Sequence, residues 1–257
     1  MNFTAKDACR KAITVETTCN LSDALDMMIR HNISRVIVVA NNNPIGMVTE
    51  KAIASYLFEN SYEPLDAIVI SRTMRTPVVT ISLDASITKC AKMMIENNIS
   101  SLVVINGTSL RIITKSDLVR LYAEHYRKIY LVSEFMTKNV STISPSHSLR
   151  AALMFMIKNK ISRVVVTRGK EIVGIITSRD LMPITSFVGK GYIVLVRDVM
   201  NKPLTINKKA DLAEAAQIMH DKRISGIPVA PTSNDLDGII TKTDIVRALI
   251  EANNEAA

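Results

Sequence analysis

Ile161-Ser162-Arg163-Val164-Val165-Val166, followed by Gly174-Ile175-Ile176-Thr177-Ser178-Arg179-Asp180, decides how this chain folds. The β-branched run after Ser162 reads as a buried strand. Gly174 to Thr177 reads as a second strand. A helix is expected to begin directly after it, at Ser178-Arg179-Asp180-Leu181. Ile-Ser recurs at Ile33-Ser34, Ile99-Ser100 and Ile224-Ser225, with spacings of 66, 62 and 63 residues. Twenty residues before each Ser stands a Thr: Thr14, Thr80, Thr142, Thr205. Thirteen before stands an aliphatic (Leu21, Ile87, Leu149, Leu212), preceded by a helix-capping type: Asn20, Ser86, Ser148, Asp211. A period of this size is the mark of a repeat protein.

Each unit reads as β-α-β-β-α. The residues around the Thr, such as Ile13-Thr14-Val15, Val78 to Ile81, Val140 to Ile143 and Leu204-Thr205-Ile206, form a short strand. Ile87, Cys90, Ala91, Met94 and Ile95 make one buried helical stripe, repeated as Leu149, Ala152, Leu153, Met156 and Ile157. Turns at Asn97-Asn98 and Asn159-Lys160 lead into the next strand. Met27, Met28, Met93, Met94, Met154, Met156 and Met219 lie in these first helices and read as flexible fillers of the helix–sheet gap. The units span 1–63, 64–127, 128–190 and 191–257, with a linker at about 124–135. One unit buries only a modest core, so each should pair with a neighbour.

The chain has 257 residues, 47% hydrophobic, with a mean hydropathy of +0.18. It is too apolar to be disordered, and no stretch approaches the length of uncharged apolar residues that spans a membrane. The N-terminal residues are polar and do not resemble a secretory signal. Three cysteines without a CxxC argue against disulfides and a zinc site, and for a cytoplasmic protein. His31, His125, His147 and His220 fall at unrelated repeat positions, so no metal site or catalytic triad is expected. No nucleophile elbow, P-loop or HExxH pattern occurs, and an enzyme is not expected. The net charge is +8, and residues 131–190 hold nine basic against three acidic residues. Such an excess suits an anionic partner: nucleotide phosphates, nucleic acid or an acidic protein.

The h-Ser-x-h-h-V and Gly-h-h-Thr-x-x-Asp signatures of the third unit, matched by Ile224 to Val229 and Gly238 to Asp244 in the fourth, resemble the CBS (cystathionine-β-synthase) domain. The resemblance covers nearly the whole chain. It implies an α/β (α+β) fold of four βαββα units, paired into two Bateman modules in a disc-like arrangement. The disc forms either within one chain or across a homodimer. Family members are mostly regulatory, and many bind adenine nucleotides or adenosyl compounds between paired units.

By this resemblance, Thr and Asp of one unit face the first strand and Ile-Ser of its mate. Thr114 and Asp117 should face Ile13, Ile33 and Ser34. Thr177 and Asp180 should face Leu204, Ile224 and Ser225. Thr241 and Asp244 should face Ser141, Ile161 and Ser162. A Thr hydroxyl and helix N-terminal N–H groups suit a phosphate, and a carboxylate suits a ribose diol. The plainer reading of the Asp is a first-turn helix residue favoured by the helix dipole. The fourth cleft pairs Thr49 with Val79, Ile99 and Ser100, but has Ala52 where Asp is expected, and should be empty or weak. Arg111 replaces the Gly of the second unit, and either blocks its cleft or adds a phosphate contact. Arg35 and Arg163 follow the Ile-Ser, where family members direct a basic residue at phosphates. Ser101 and Gly226 stand there in the other units.

The leading expectation is therefore a non-enzymatic sensor of AMP, ADP or ATP that modulates an unidentified partner protein. An S-adenosylmethionine-type ligand is an alternative, although it carries no phosphate for the arginines. A second alternative is nucleic-acid binding through Lys158, Lys160, Arg163, Arg168 and Lys170, read as one basic cluster around a turn. No Tyr or Phe interleaves it, so such binding would be phosphate-directed and salt-dependent.

Overall fold

The computed structural model describes residues 3–60, 63–107, 109–127, 130–181, 193–231 and 235–255. A lead-in of α1 (Ala5–Ala8) and β1 (Arg10–Lys11) precedes the first repeat. That repeat is β2 (Thr14–Glu16), α2 (Leu21–Arg30), β3 (Arg35–Ala40), β4 (Asn43–Thr49) and α3 (Glu50–Glu59). A 3-10 turn, Ile70–Arg72, leads into β5 (Thr80–Ser82), α4 (Ile87–Glu96), β6 (Ser101–Asn106), β7 (Ser109–Thr114) and α5 (Lys115–His125). The third repeat is α6 (Val132–Phe135), β8 (Thr142–Ile143), α7 (Leu149–Lys158), β9 (Arg163–Arg168) and β10 (Glu171–Thr177). The fourth is α8 (Val196–Val199), α9 (Leu212–Asp221), β11 (Gly226–Val229), β12 (Gly238–Thr241) and α10 (Lys242–Glu255).

The anticipated caps form. Asn20, Ser86, Ser148 and Asp211 each accept a backbone N–H of the first helical turn, from Asp23, Lys89, Ala151 and Ala213. Each of these helices ends on a residue at positive φ: Asn32, Asn98, Lys160 and Arg223. In three repeats the first strand runs parallel to the next, and the two following strands form an antiparallel hairpin.

Four readings are corrected. Leu204-Thr205-Ile206 is not a strand, because only Ile206 bridges to Val229. Pro228 explains this. It occupies the position of Ile37 and Val103, whose N–H groups bond Ile13 and Val79 at 3.1 and 3.0 Å. Proline has no N–H to give Leu204. Ser178 to Leu181 form a turn rather than the start of a helix, and residues 182–192 lie outside the described residues. Val132–Phe135, read as linker, is a helix docked on the fourth repeat through Val132 N to Ala210 O at 3.0 Å. Met154 is 50% exposed, because it lies off the α7 stripe that buries Leu149, Ala152, Leu153 and Met156.

The lead-ins are exchanged between mates, which the sequence reading did not foresee. α1 and β1 lie on the second repeat, where Arg10 pairs Ile112 and Ile87 N bonds Phe3 O at 2.9 Å. Residues 65–75 lie on the first, with Ile68 and Ile70 wholly buried in its core. The same reciprocity joins third and fourth: Leu195 bridges Ser148, and Thr137 bridges Ile239. The sheets of each pair also share an apolar seam, Ala12, Ile37, Val39, Val103 and Ile112 in one, Val165, Ile172, Ala230 and Ile239 in the other. The two pairs then join within the one chain. Helices of the second and fourth repeats bury one continuous core that includes Met94, Leu118, Tyr122, Ala216, Met219 and Leu249. Ala54 of α3 enters the core of the third repeat. No helix among the described residues is long and apolar enough to cross a membrane.

Candidate functional site

Three repeats carry the same loop directly after the last strand, leading into α5 and α10 in the second and fourth repeats and into the Ser178–Leu181 turn in the third. Asp117, Asp180 and Asp244 each accept two hydrogen bonds on one carboxylate oxygen, Oδ2. They come from the N–H of Thr114, Thr177 and Thr241 at 2.7, 2.7 and 2.8 Å, and from the three hydroxyls at 2.6 Å each. The Asp therefore caps the chain turn, and the Thr hydroxyl proton is already committed to it. Oδ1 takes no part in the Thr loop. Its partner differs by site: Arg10 Nη1 at 3.4 Å for Asp117, Asn201 Nδ2 at 2.9 Å for Asp180, and Arg247 Nη1 at 3.4 Å for Asp244. Arg10 and Asn201 come from exchanged lead-ins, one residue after Cys9 and Met200. Burial pushes the Asp244 carboxyl above its ordinary pKa, against the Thr241 hydrogen bonds and the pull of Arg247 and Arg163.

In the first repeat Thr49 Oγ1 accepts from Ala52 N at 3.2 Å, with no carboxylate to close the box. Glu50 does not face a phosphate position freely, because it pairs with Arg179 of the third repeat at 3.0 Å. Arg179 is thereby held at the repeat junction.

The Ile-Ser dipeptides meet the Thr loops of their own repeats. Ser34, Ser100, Ser162 and Ser225 each give their carbonyl to the N–H following the Thr: Glu50, Lys115, Ser178 and Lys242, at 3.0, 3.0, 3.0 and 3.2 Å. Ile13 and Ile33 pack half-buried on the first core, Ile161 on the third, and Ile224 on the shared core. Ser141 is exposed, and Leu204, left without a backbone partner by Pro228, is 42% exposed. Val79 and Ile99 pack on the shared core and Ser100 is exposed. Among the described residues no hydrogen bond joins a Thr or Asp to its mate's Ser. Two of these serines are reached instead by an arginine of the mate: Arg35 Nη1 to Ser100 Oγ at 2.8 Å, and Arg163 Nε to Ser225 Oγ at 3.1 Å. Arg163 lies so close over Gly226 that a Cβ there would meet its Cδ at 2.8 Å. Burial lowers both guanidinium pKa values to about 10.

Two lysines complete this group by crossing between pairs. Lys115 Nζ donates to Thr243 Oγ1 at 3.0 Å, and Lys242 Nζ donates to Ser116 Oγ at 2.8 Å. Burial first, then neighbouring cations, lowers each to about 8. Four cations thus converge where the second and fourth repeats meet. The crossing was not legible in the sequence, since the hydroxyl partners are 128 and 126 residues away.

Arg111 reaches across to the lead-in of the first repeat. Its Nε and Nη2 reach Cys9 Sγ and Cys9 O, both at 3.1 Å. In the other repeats a glycine at this place faces a lead-in methionine: a Cβ on Gly46, Gly174 or Gly238 would approach Sδ of Met74, Met200 or Met136 to 2.8, 2.6 and 3.0 Å. The second repeat inverts the sizes, large on the strand and small on the lead-in. Cys9→Met should therefore destabilise by about 1–3 kcal/mol through overpacking. Adding Arg111→Gly should recover most of it, as a double-mutant cycle by denaturant melting would read.

The basic cluster of the third repeat comes apart. Lys158 and Lys160 precede β9, whereas Arg168 and Lys170 lie at its far end. Six residues of strand, roughly 17 Å, separate the two groups, and Arg163 points to Ser225 instead. Among the described residues no group of three or more His, Cys, Asp and Glu could hold a metal ion.

The CBS domain family profile matches four segments: residues 5–59, 69–124, 132–184 and 196–251. The chain belongs to the CBS domain family. Protein MJ1225 of Methanocaldococcus jannaschii is 24% identical over 93% of this chain and 95% of its own. Its crystal structure, described as that of a proposed archaeal homologue of γ-AMPK, superposes with a TM-score of 0.84 at 22% identity, over 93% of this chain and 96% of that one. An uncharacterised conserved protein of Pyrococcus horikoshii gives a TM-score of 0.70 at 19% identity, covering 96% and 100%. These two likenesses fix the fold. Inosine-5'-monophosphate dehydrogenase of Thermoplasma acidophilum is 29% identical over 72% of this CBS chain, which spans only 36% of that enzyme.

Proposed function

We propose that this CBS protein is a regulatory, non-enzymatic sensor that binds AMP, ADP or ATP between paired repeats and conveys occupancy to a partner protein. The convergence of Arg35, Arg163, Lys115 and Lys242 beside two Thr–Asp loops carries this reading. Cations held by neutral hydroxyls, partly out of water, favour a phosphate and disfavour a sulfonium. S-adenosylmethionine should therefore bind more weakly than a nucleotide. The ribose would share or take over Oδ1 of Asp117, Asp180 or Asp244 from Arg10, Asn201 or Arg247, with Ile33, Ile224 and Ile161 as apolar walls. The site is assigned to Thr114, Asp117, Thr177, Asp180, Thr241 and Asp244 with their facing Ile-Ser pairs. Regulation follows if a ligand prefers one arrangement of the repeats.

Calorimetric titration with AMP, ADP, ATP and S-adenosylmethionine tests this. Phosphorylated ligands should bind and lose affinity with rising salt; absence of binding by all of them would refute the reading. Ala52→Asp gives a second check. The new carboxylate should close a capping box on Thr49 and add about 1 kcal/mol of stability. It should also raise the number of nucleotides bound by one.

A further inference from the structure

Among the described residues none of the four central cations is in direct ion-pair contact with a carboxylate. Lys115 and Lys242 each donate to a hydroxyl of the opposite loop, at 3.0 and 2.8 Å. Arg35 and Arg163 each donate to a serine. The charged groups that act on Lys115 are Arg247, Arg163 and Arg35 against Asp244. Those that act on Lys242 are Arg163, Arg35 and Arg10 against Asp117. Both aspartates are engaged by their Thr loops and by Arg247 or Arg10. Like charge thus outnumbers opposite charge around each ammonium, in a place half removed from water.

We infer that a phosphate chain entering this centre holds the charge on the crossed lysines, so that binding at alkaline pH consumes protons. This rests on the nucleotide reading above and adds its regulation. The protons come from buffer, and no covalent bond changes. The direction follows from linkage: the free lysines lose charge as pH rises through about 8, whereas phosphate oxygens at hydrogen-bond distance hold the charge on. Affinity should therefore be full below pH 7 and fall by about tenfold per lysine between pH 7 and 9.

The test is titration of the full chain with ATP, and separately with inorganic pyrophosphate, at pH 8.5 in two buffers of different ionisation enthalpy. At that pH the phosphates are themselves fully ionised. Net proton uptake and a falling affinity from pH 7 to 9 are expected. Lys115→Arg with Lys242→Arg should abolish the proton uptake and flatten the pH dependence of whatever affinity it shows, since guanidinium stays charged; a thermal melt verifies its folding. ATP binding without proton uptake would overturn the inference and leave the nucleotide reading intact. Pyrophosphate binding with uptake, but no ATP binding, would keep the inference and overturn the nucleotide reading. Binding of neither overturns both.

Discussion

Asp244→Ala is expected to lower stability by about 1–2 kcal/mol and, at the same time, to weaken adenine-nucleotide binding at least tenfold. The two losses have one origin. Oδ2 of Asp244 closes the Thr241 box, and removing it frees the Thr241 N–H and hydroxyl. On the proposed reading Oδ1 accepts from the ribose, where a charge-assisted hydrogen bond contributes about 1.5–3 kcal/mol. Arg247, at 3.4 Å, also loses its partner. Asp244→Asn separates the effects, because the amide oxygen keeps part of the cap while the charge is gone. Denaturant melts and calorimetry on both variants give the two numbers. Unchanged affinity in Asp244→Ala would remove this loop from the binding site, whatever its stability. At Asp180 the Oδ1 partner is the neutral Asn201, so Asp180→Ala should strand no cation.

Leu118→Ala should cost about 2–5 kcal/mol, the largest stability loss among the changes considered. Leu118 is fully buried in α5, within the core shared by the second and fourth repeats. The cavity would be lined from both module pairs, and its collapse is resisted from both sides. Hydrogen exchange should show lost protection in 115–125 and in 212–221 together. Loss confined to 115–125 would mean that the two repeats are stabilised separately. Leu21→Ala, equally buried but in the core of the first repeat, should leave 212–221 protected.

The repeat architecture was legible because it is local. Strand, cap, helical stripe and turn recur within each period, and Asn20, Ser86, Ser148 and Asp211 cap as their types require. What escaped is non-local or depends on a single atom. Pro228 deletes one ladder bond, and with it the fourth first strand. The exchange of lead-ins left a trace, Met74, Met136 and Met200 at five or six residues before the repeat Thr, but their glycine counterparts are apparent only in three dimensions. The Thr–Asp spacing is compatible with both a helix cap and a ribose acceptor. The structure places the cap on Oδ2 and gives Oδ1 to Arg10, Asn201 or Arg247.

The exchanged lead-ins bear on how the chain is made. β1 cannot dock until β7 exists, because Arg10 pairs with Ile112. At typical synthesis rates of about 5–20 residues per second, the opening segment waits roughly 5–20 s for its place. The first repeat is likewise incomplete until Ile68 and Ile70 leave the ribosome. A nascent single repeat is therefore an open shell, and the smallest closed product of translation is a pair.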